Sequence, residues 1–190
     1  MQMLQADSDK IRIGLSVFST EGKYMEPVCE MIRRQTDANF VNLLIALKTY
    51  DRNALVKGAP AWRFVYHTLH SADKWFFNPN EYTERPGFES GSDNPFKPIS
   101  HEWSDSELTE LLESVRQKTA DYLENLSDSQ LSEYPPDCPF TRLELILMQF
   151  RHMSVHIGML HGLTVEKTGR FPQYVSPHSL DRLKNGYWDE

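Results

Sequence analysis

Apolar residues recur at steps of three and four in four separate stretches of this chain, and that period belongs to amphipathic helices rather than strands. The third stretch is the clearest: Leu108, Leu111, Leu112, Val115, Tyr122, Leu123 and Leu126 form one stripe, and Ser104 with Glu107 makes a capping box in front of it. The first runs from about Pro27 to Asp51 on Ile32, Phe40, Leu43, Leu44, Leu47 and Tyr50, with Pro27 suited to a first helical turn. A second opens at Pro60, reads AWRFVYHTLHSADKWFF and stops at Asn78 and Pro79. The fourth begins with a Thr141 and Glu144 capping box and runs to about Leu163 or Thr164.

The connections between these stretches are unequal, which limits how they pack. DRNALVKGAP and LSDSQLSEYPPDCPF are short links of the kind that join antiparallel neighbours, whereas Asn80 to Trp103 is a long segment rich in Pro, Gly, Ser and Asn. A helix of about 18 residues is about 27 Å long, and about 24 loop residues at up to about 3.3 Å each can cross that distance. The expected fold is therefore all-α: an antiparallel four-helix bundle, up-down-down-up, with the long connection between helices 2 and 3.

A chain of 190 residues and 22.1 kDa is expected to form one domain with a core large enough to shelter a site. The helical part covers about residues 25–165. The N-terminal residues 1–22, in which IRIGLSVFST can be read as a short strand, and the C-terminal residues 166–190 carry no assignable period.

Several partner classes fall away on composition. The net charge is −7 and no stretch gathers the basic residues into a stripe, so no nucleic-acid partner is expected. No apolar run approaches the roughly 18 residues of a membrane span, and MQMLQADSDKIRIG lacks the pattern of a signal peptide. The expected location is the cytoplasm. Cys29 and Cys138 are too few for a disulfide scaffold and wrongly spaced for a cysteine zinc site, so both are expected to be reduced.

The chemistry is concentrated in the fourth helix. His152 and His156 stand four residues apart on one helical face, with Cβ atoms about 6 Å apart, so two imidazoles can reach one ion. Chance alone supplies about 0.25 such pairs in a chain with seven histidines among 190 residues, which makes the pair by itself a weak signal. Two core histidines hydrogen-bonded to the protein would look the same. The setting favours a metal: Leu145, Gln149, His152, His156 and Leu163 share a stripe free of formal charge, and buried imidazoles need a partner.

A third ligand decides between the two readings, and His67 is the best placed. Counting at about 1.5 Å per residue, it lies roughly 10 Å below the end of the bundle at which helix 2 starts and helix 4 finishes. His156 and His152 lie roughly 12 and 18 Å below that end. Against this, the stronger apolar stripe of helix 2, Trp62, Val65, Leu69, Ala72 and Phe76, is turned roughly 160° from His67, which requires a helix buried on two sides. His70 is the rival ligand, but it shares its stripe with Arg63 and Lys74 and is expected as a pocket or surface residue. His101, His161 and His178 are expected in ordinary surface or loop roles. Gln149 and Tyr66 are candidate polar groups of a pocket, and Glu144 is expected to cap its own helix, with orientation of a metal-bound imidazole as the alternative.

RHMSVHIGML resembles the last-helix motif of DinB/YfiT-like proteins, an Arg-His followed four residues later by a second His and a small residue, and PAWRFVYHTL resembles their second-helix motif. The resemblance covers roughly residues 25–165. It implies a four-helix metalloprotein, often a homodimer, in which His67, His152 and His156 bind one divalent ion, zinc or nickel first among the candidates. It also implies, for part of the family, transfer of a low-molecular-weight thiol such as bacillithiol, mycothiol or glutathione.

Three protein ligands leave at least one coordination position open, as catalytic rather than structural zinc does. The leading expectation is thus a metal-dependent thiol S-transferase, with a small-molecule thiol and an electrophile as partners and no protein nucleophile. A metal-dependent hydrolase and a non-catalytic module that binds a metal or small ligand are the alternatives.

Overall fold

The computed structural model describes residues 27–189; the segment IRIGLSVFST lies outside the described residues. Four long helices dominate: α1 (Pro27–Thr49), α2 (Ala61–Trp75), α3 (Asp105–Glu124) and α4 (Arg142–Thr168). The class is all-α, as the helical periods require. Each of α1 and α2 packs against both α3 and α4. Between the helices lies one continuous apolar core, in which Leu43, Leu69, Phe76, Leu108, Leu112, Val115, Ile146, Met153 and Leu160 are wholly shielded from water. Each such side chain contributes roughly 1.5–3 kcal/mol by leaving water.

Local signals set the helix ends. In α3 the Ser104 hydroxyl accepts from the Glu107 amide while Glu107 accepts from the Ser104 amide, and Thr141 with Glu144 repeats the device at α4. The start of α1 is capped from a distance: the Asp128 carboxylate accepts from the amides of Val28 and Cys29 at 3.2 and 2.8 Å. α4 runs one turn past the expected end, to Gly169, whose φ of +69° gives the left-handed turn that closes a helix. Its stop signal is the glycine, not the fading of the apolar stripe.

Polar contacts join the helices at defined heights. α1 meets α3 through Lys48 with Thr109 and Arg116 with Asp37, and α2 meets α3 through Asp73 with Lys118. Lys167 of α4 pairs with Asp51, just beyond α1. On α2, Ser71 donates to Gln149 of α4 at 3.2 Å.

Two parts that showed no helical period carry structure. Residues before α2 form a hairpin of β1 (Leu55–Val56) and β2 (Ala59–Pro60) around Lys57 and Gly58, both at positive φ. After α4, β3 (Phe171–Pro172) pairs antiparallel with β4 (Trp188–Asp189), and the tail docks on α1. Asn42 fixes that docking, donating to the Val175 carbonyl and accepting from its amide, both at 2.8 Å. Val175 then packs with Val41 and Ile45.

Candidate metal centre

The three sequence-selected histidines meet. His67 comes from the middle of α2, and His152 and His156 from adjacent turns of α4. The Nε2 of His152 lies 3.0 Å from the Nε2 of His67 and 3.0 Å from that of His156. Their rings stand nearly perpendicular, at 82°, 79° and 89° pairwise, with centroids 4.6 to 5.0 Å apart. That edge-to-face arrangement leaves one nitrogen of each ring within 4.8 Å of the other two. Among the described residues this is the one cluster of His, Cys, Asp and Glu side chains that can hold a metal ion.

The donor set fits a divalent ion. Bonds of about 2.0–2.1 Å from a tetrahedral ion place its nitrogens about 3.3 Å apart, close to the two 3.0 Å separations from His152. Protein partners alone do not satisfy the cluster. One N–H can bridge one pair of Nε2 atoms, leaving the third lone pair facing its neighbours. Burial, reinforced by the neighbouring imidazoles, pushes the pKa values of His152 and His156 down to about 4. Both rings are therefore neutral at pH 7, which is the form that ligates.

His67 is held from behind. Its Nδ1 lies 2.6 Å from the main-chain carbonyl oxygen of Asp93, in the long connection between α2 and α3. A carbonyl can only accept, so Nδ1 carries the proton and, in the neutral ring, Nε2 keeps its lone pair toward the cluster. Phe64 lies against His156 with ring centroids 6.1 Å apart, and Phe96 of the long connection packs edge-on against Phe64. A cavity of about 430 Å³ opens beside His152, lined by Ser71, Trp75, Met148, Gln149, Arg151 and Val155.

The other histidines separate from this group. His70 is buried rather than at the surface: its Nε2 pairs with Glu84 at 2.8 Å, and its ring stacks on Phe88 and meets the edge of Tyr82. The long connection folds over it, which a charge-based reading of its helical stripe does not reveal. His101 is exposed and pairs with Glu107. His161 is half-buried, which lowers its pKa, and His178 is exposed. Glu144 bonds to Thr141 as a cap. Gln149 is buried and lines the cavity, whereas Tyr66 reaches Ser92 of the long connection.

Two contributors escaped the sequence reading. The Asp93 carbonyl is a main-chain group and has no residue signature, and Arg63, read as a mark of a wet stripe, is buried with 5% exposure. Among the described residues no helix is long and apolar enough to cross a membrane. No family model, no curated protein and no solved structure matches the chain.

Proposed function

We propose that this protein is a metal-dependent thiol S-transferase, with His67, His152 and His156 as the ligands of one divalent ion. The observation that carries the reading is the convergence of three imidazole nitrogens, one of whose rings, His152, lines a cavity. Imidazole donors suit zinc or nickel, and three of them leave a coordination position for a small molecule. When bound, such an ion supplies the Lewis acidity that lets a thiol react as its thiolate at neutral pH.

The chain's own residues support an external nucleophile. Cys29 and Cys138 are buried and neither lines the cavity. Among the described residues no carboxylate and no histidine besides His152 lines it either, so none offers water there a general base, which favours a thiol over hydrolysis. Trp75, Met148 and Val155 give the electrophile an apolar wall, while the Gln149 amide and the Ser71 hydroxyl offer it polar contacts. In the transfer the sulfur forms a bond to the electrophilic carbon as the leaving bond breaks. The thiol proton passes to solvent, and nothing is oxidised.

The same reading includes a DinB/YfiT-like affiliation, a homodimer and a cytoplasmic location. The first rests on the motifs around the three histidines, the last on a cysteine content too low for a disulfide scaffold. The up-down-down-up order is supported by contact heights. Lys48, near the end of α1, meets Thr109 near the start of α3; Asp73 and Lys118 meet toward the far ends of α2 and α3; and Ser71 follows His67 where Gln149 precedes His152.

The test begins with protein purified without a metal-affinity tag. Elemental analysis is expected to find about one ion per chain, and far less in His156→Ala. Metal-loaded protein is then given an activated aryl halide with bacillithiol, mycothiol or glutathione, and conjugate is measured. Full metal occupancy with no conjugate from any thiol overturns the transferase reading. Saturable stabilisation by a thiol without product identifies a binding module instead.

A further inference from the structure

Arg63 sits one helical turn before His67 on α2 and is buried, yet no carboxylate pairs with it among the described residues. Its guanidinium instead donates to three main-chain carbonyls of the long connection: Nη1 to Lys97 at 2.8 Å, and Nη2 to Asn94 at 2.7 Å and Ser92 at 3.3 Å. Besides these carbonyls the guanidinium lies over the Trp62 ring, 5.4 Å from its centroid, and feels the more distant Glu89 carboxylate, so its direct hydrogen bonds all go to one short segment of main chain. What it encircles is informative. Ser92 and Asn94 flank Asp93, whose carbonyl oxygen holds the Nδ1 of His67.

Two neighbouring contacts act on the same six residues. The Tyr66 hydroxyl lies 3.2 Å from the Ser92 hydroxyl, and Phe96 packs on Phe64, which in turn packs on His156. One face of α2 thus clamps residues 92–97 against the histidine cluster. The consequence is electronic as well as spatial. In water the Nε2–H form is the commoner tautomer of a free neutral imidazole, and that form cannot ligate through Nε2. A carbonyl fixed at Nδ1 reverses the preference before any ion arrives.

We propose that Arg63 is the positioning residue of this centre: by gripping the carbonyls on either side of Asp93 it fixes His67 as its Nδ1–H tautomer with Nε2 free to ligate. The inference rests on the metal-centre reading. It adds a reciprocal coupling, since whatever tightens residues 92–97 tightens metal binding and bound metal protects those residues by the same factor.

The experiment compares wild type with Arg63→Gln and Arg63→Lys. Zinc affinity is measured by competition with a chelator, and the His67 tautomer by imidazole nitrogen NMR of metal-free protein, assigned with His67→Gln. The expected result is a fall in zinc affinity of about 10- to 100-fold in Arg63→Gln, a shift of His67 toward Nε2–H, and faster amide exchange at residues 92–97. Arg63→Lys keeps the charge and a donor and recovers part of each; it carries the test if the Gln variant does not fold. Wild type that binds no zinc refutes the metal reading, while the tautomer still reports on Arg63. Zinc binding and an Nδ1–H His67 that persist unchanged in the variants overturn the proposal. A merely structural role lowers the melting temperature and leaves the tautomer where it was.

Discussion

Loading the metal-free protein with zinc is expected to raise its melting temperature by an amount that follows from linkage. An ion that binds only the folded state adds RT ln(1 + [Zn]/Kd), about 2.7 kcal/mol at a hundredfold excess over Kd. For a chain of this size each kcal/mol moves the midpoint by about 2–4 °C, so the expected rise is about 5–11 °C. The structure says why the folded state alone binds. The Nε2 of His152 already lies 3.0 Å from those of His67 and His156, whereas the unfolded chain separates His67 from His152 by 85 residues. His156→Ala removes one of three donors and leaves the pair His67 and His152. Once its Kd exceeds the zinc concentration used, the gain is under about 0.4 kcal/mol and the rise under about 2 °C. Thermal unfolding followed by circular dichroism, at matched free zinc, measures both. No rise in wild type, or an equal rise in the variant, refutes the claim that these three rings form one ligand set.

The pH dependence has a defined sign. Burial holds His152 and His156 near pKa 4 when folded, against 6.5 ordinarily, so between those values the unfolded chain binds more protons. Metal-free stability therefore falls as pH is lowered from 6.5 toward 4, and falls less in a His152→Phe, His156→Phe double variant; an equal pH dependence of denaturant unfolding in the two proteins contradicts this. Asp73, 2% exposed, accepts from Arg85 at 2.6 Å and Lys118 at 2.8 Å, so Asp73→Asn is expected to cost about 3 kcal/mol, or about 6–12 °C in melting temperature, with the zinc-induced rise unchanged. Asn42→Ala removes both main-chain bonds to Val175 and is expected to speed amide exchange across residues 171–189 while the helix amides stay protected. Unchanged exchange at residues 171–189 in that variant would show the tail held by its apolar contacts alone.

The helices were legible because their signals are local. Ser104 with Glu107 and Thr141 with Glu144 announce two starts within four residues each, and the apolar stripes behind them need only the helical repeat. The tail after α4 was not legible. Its strands are two residues long, and it is secured by Asn42, 133 positions away in sequence, through bonds to the main chain of Val175. The misplaced end of α4 has a similar cause. Glu166 and Lys167 interrupt the stripe because that turn faces water, but a solvated turn remains helical until a residue such as Gly169 permits reversal.

The same distinction explains the site. Axial counting along two helices brought His67 level with His152 and His156, because rise per residue is fixed. Judging wetness from formal charge misplaced Arg63 and His70, because what dries them is the aperiodic connection rather than another helix. Glu84 and Phe88 of that connection cover His70, and the carbonyls of Ser92, Asn94 and Lys97 cover Arg63. The helix is indeed buried on two sides, but one side is buried by a loop. A loop of that length in a compact fold needs internal support, and α2 supplies it with the residues that flank a metal-ligand candidate. The aperiodic loop that hid these polar contacts from the sequence therefore also ties the connection to the three imidazoles. If metal binding is strong, it is strong because residues 92–97 are held in place before the ion arrives.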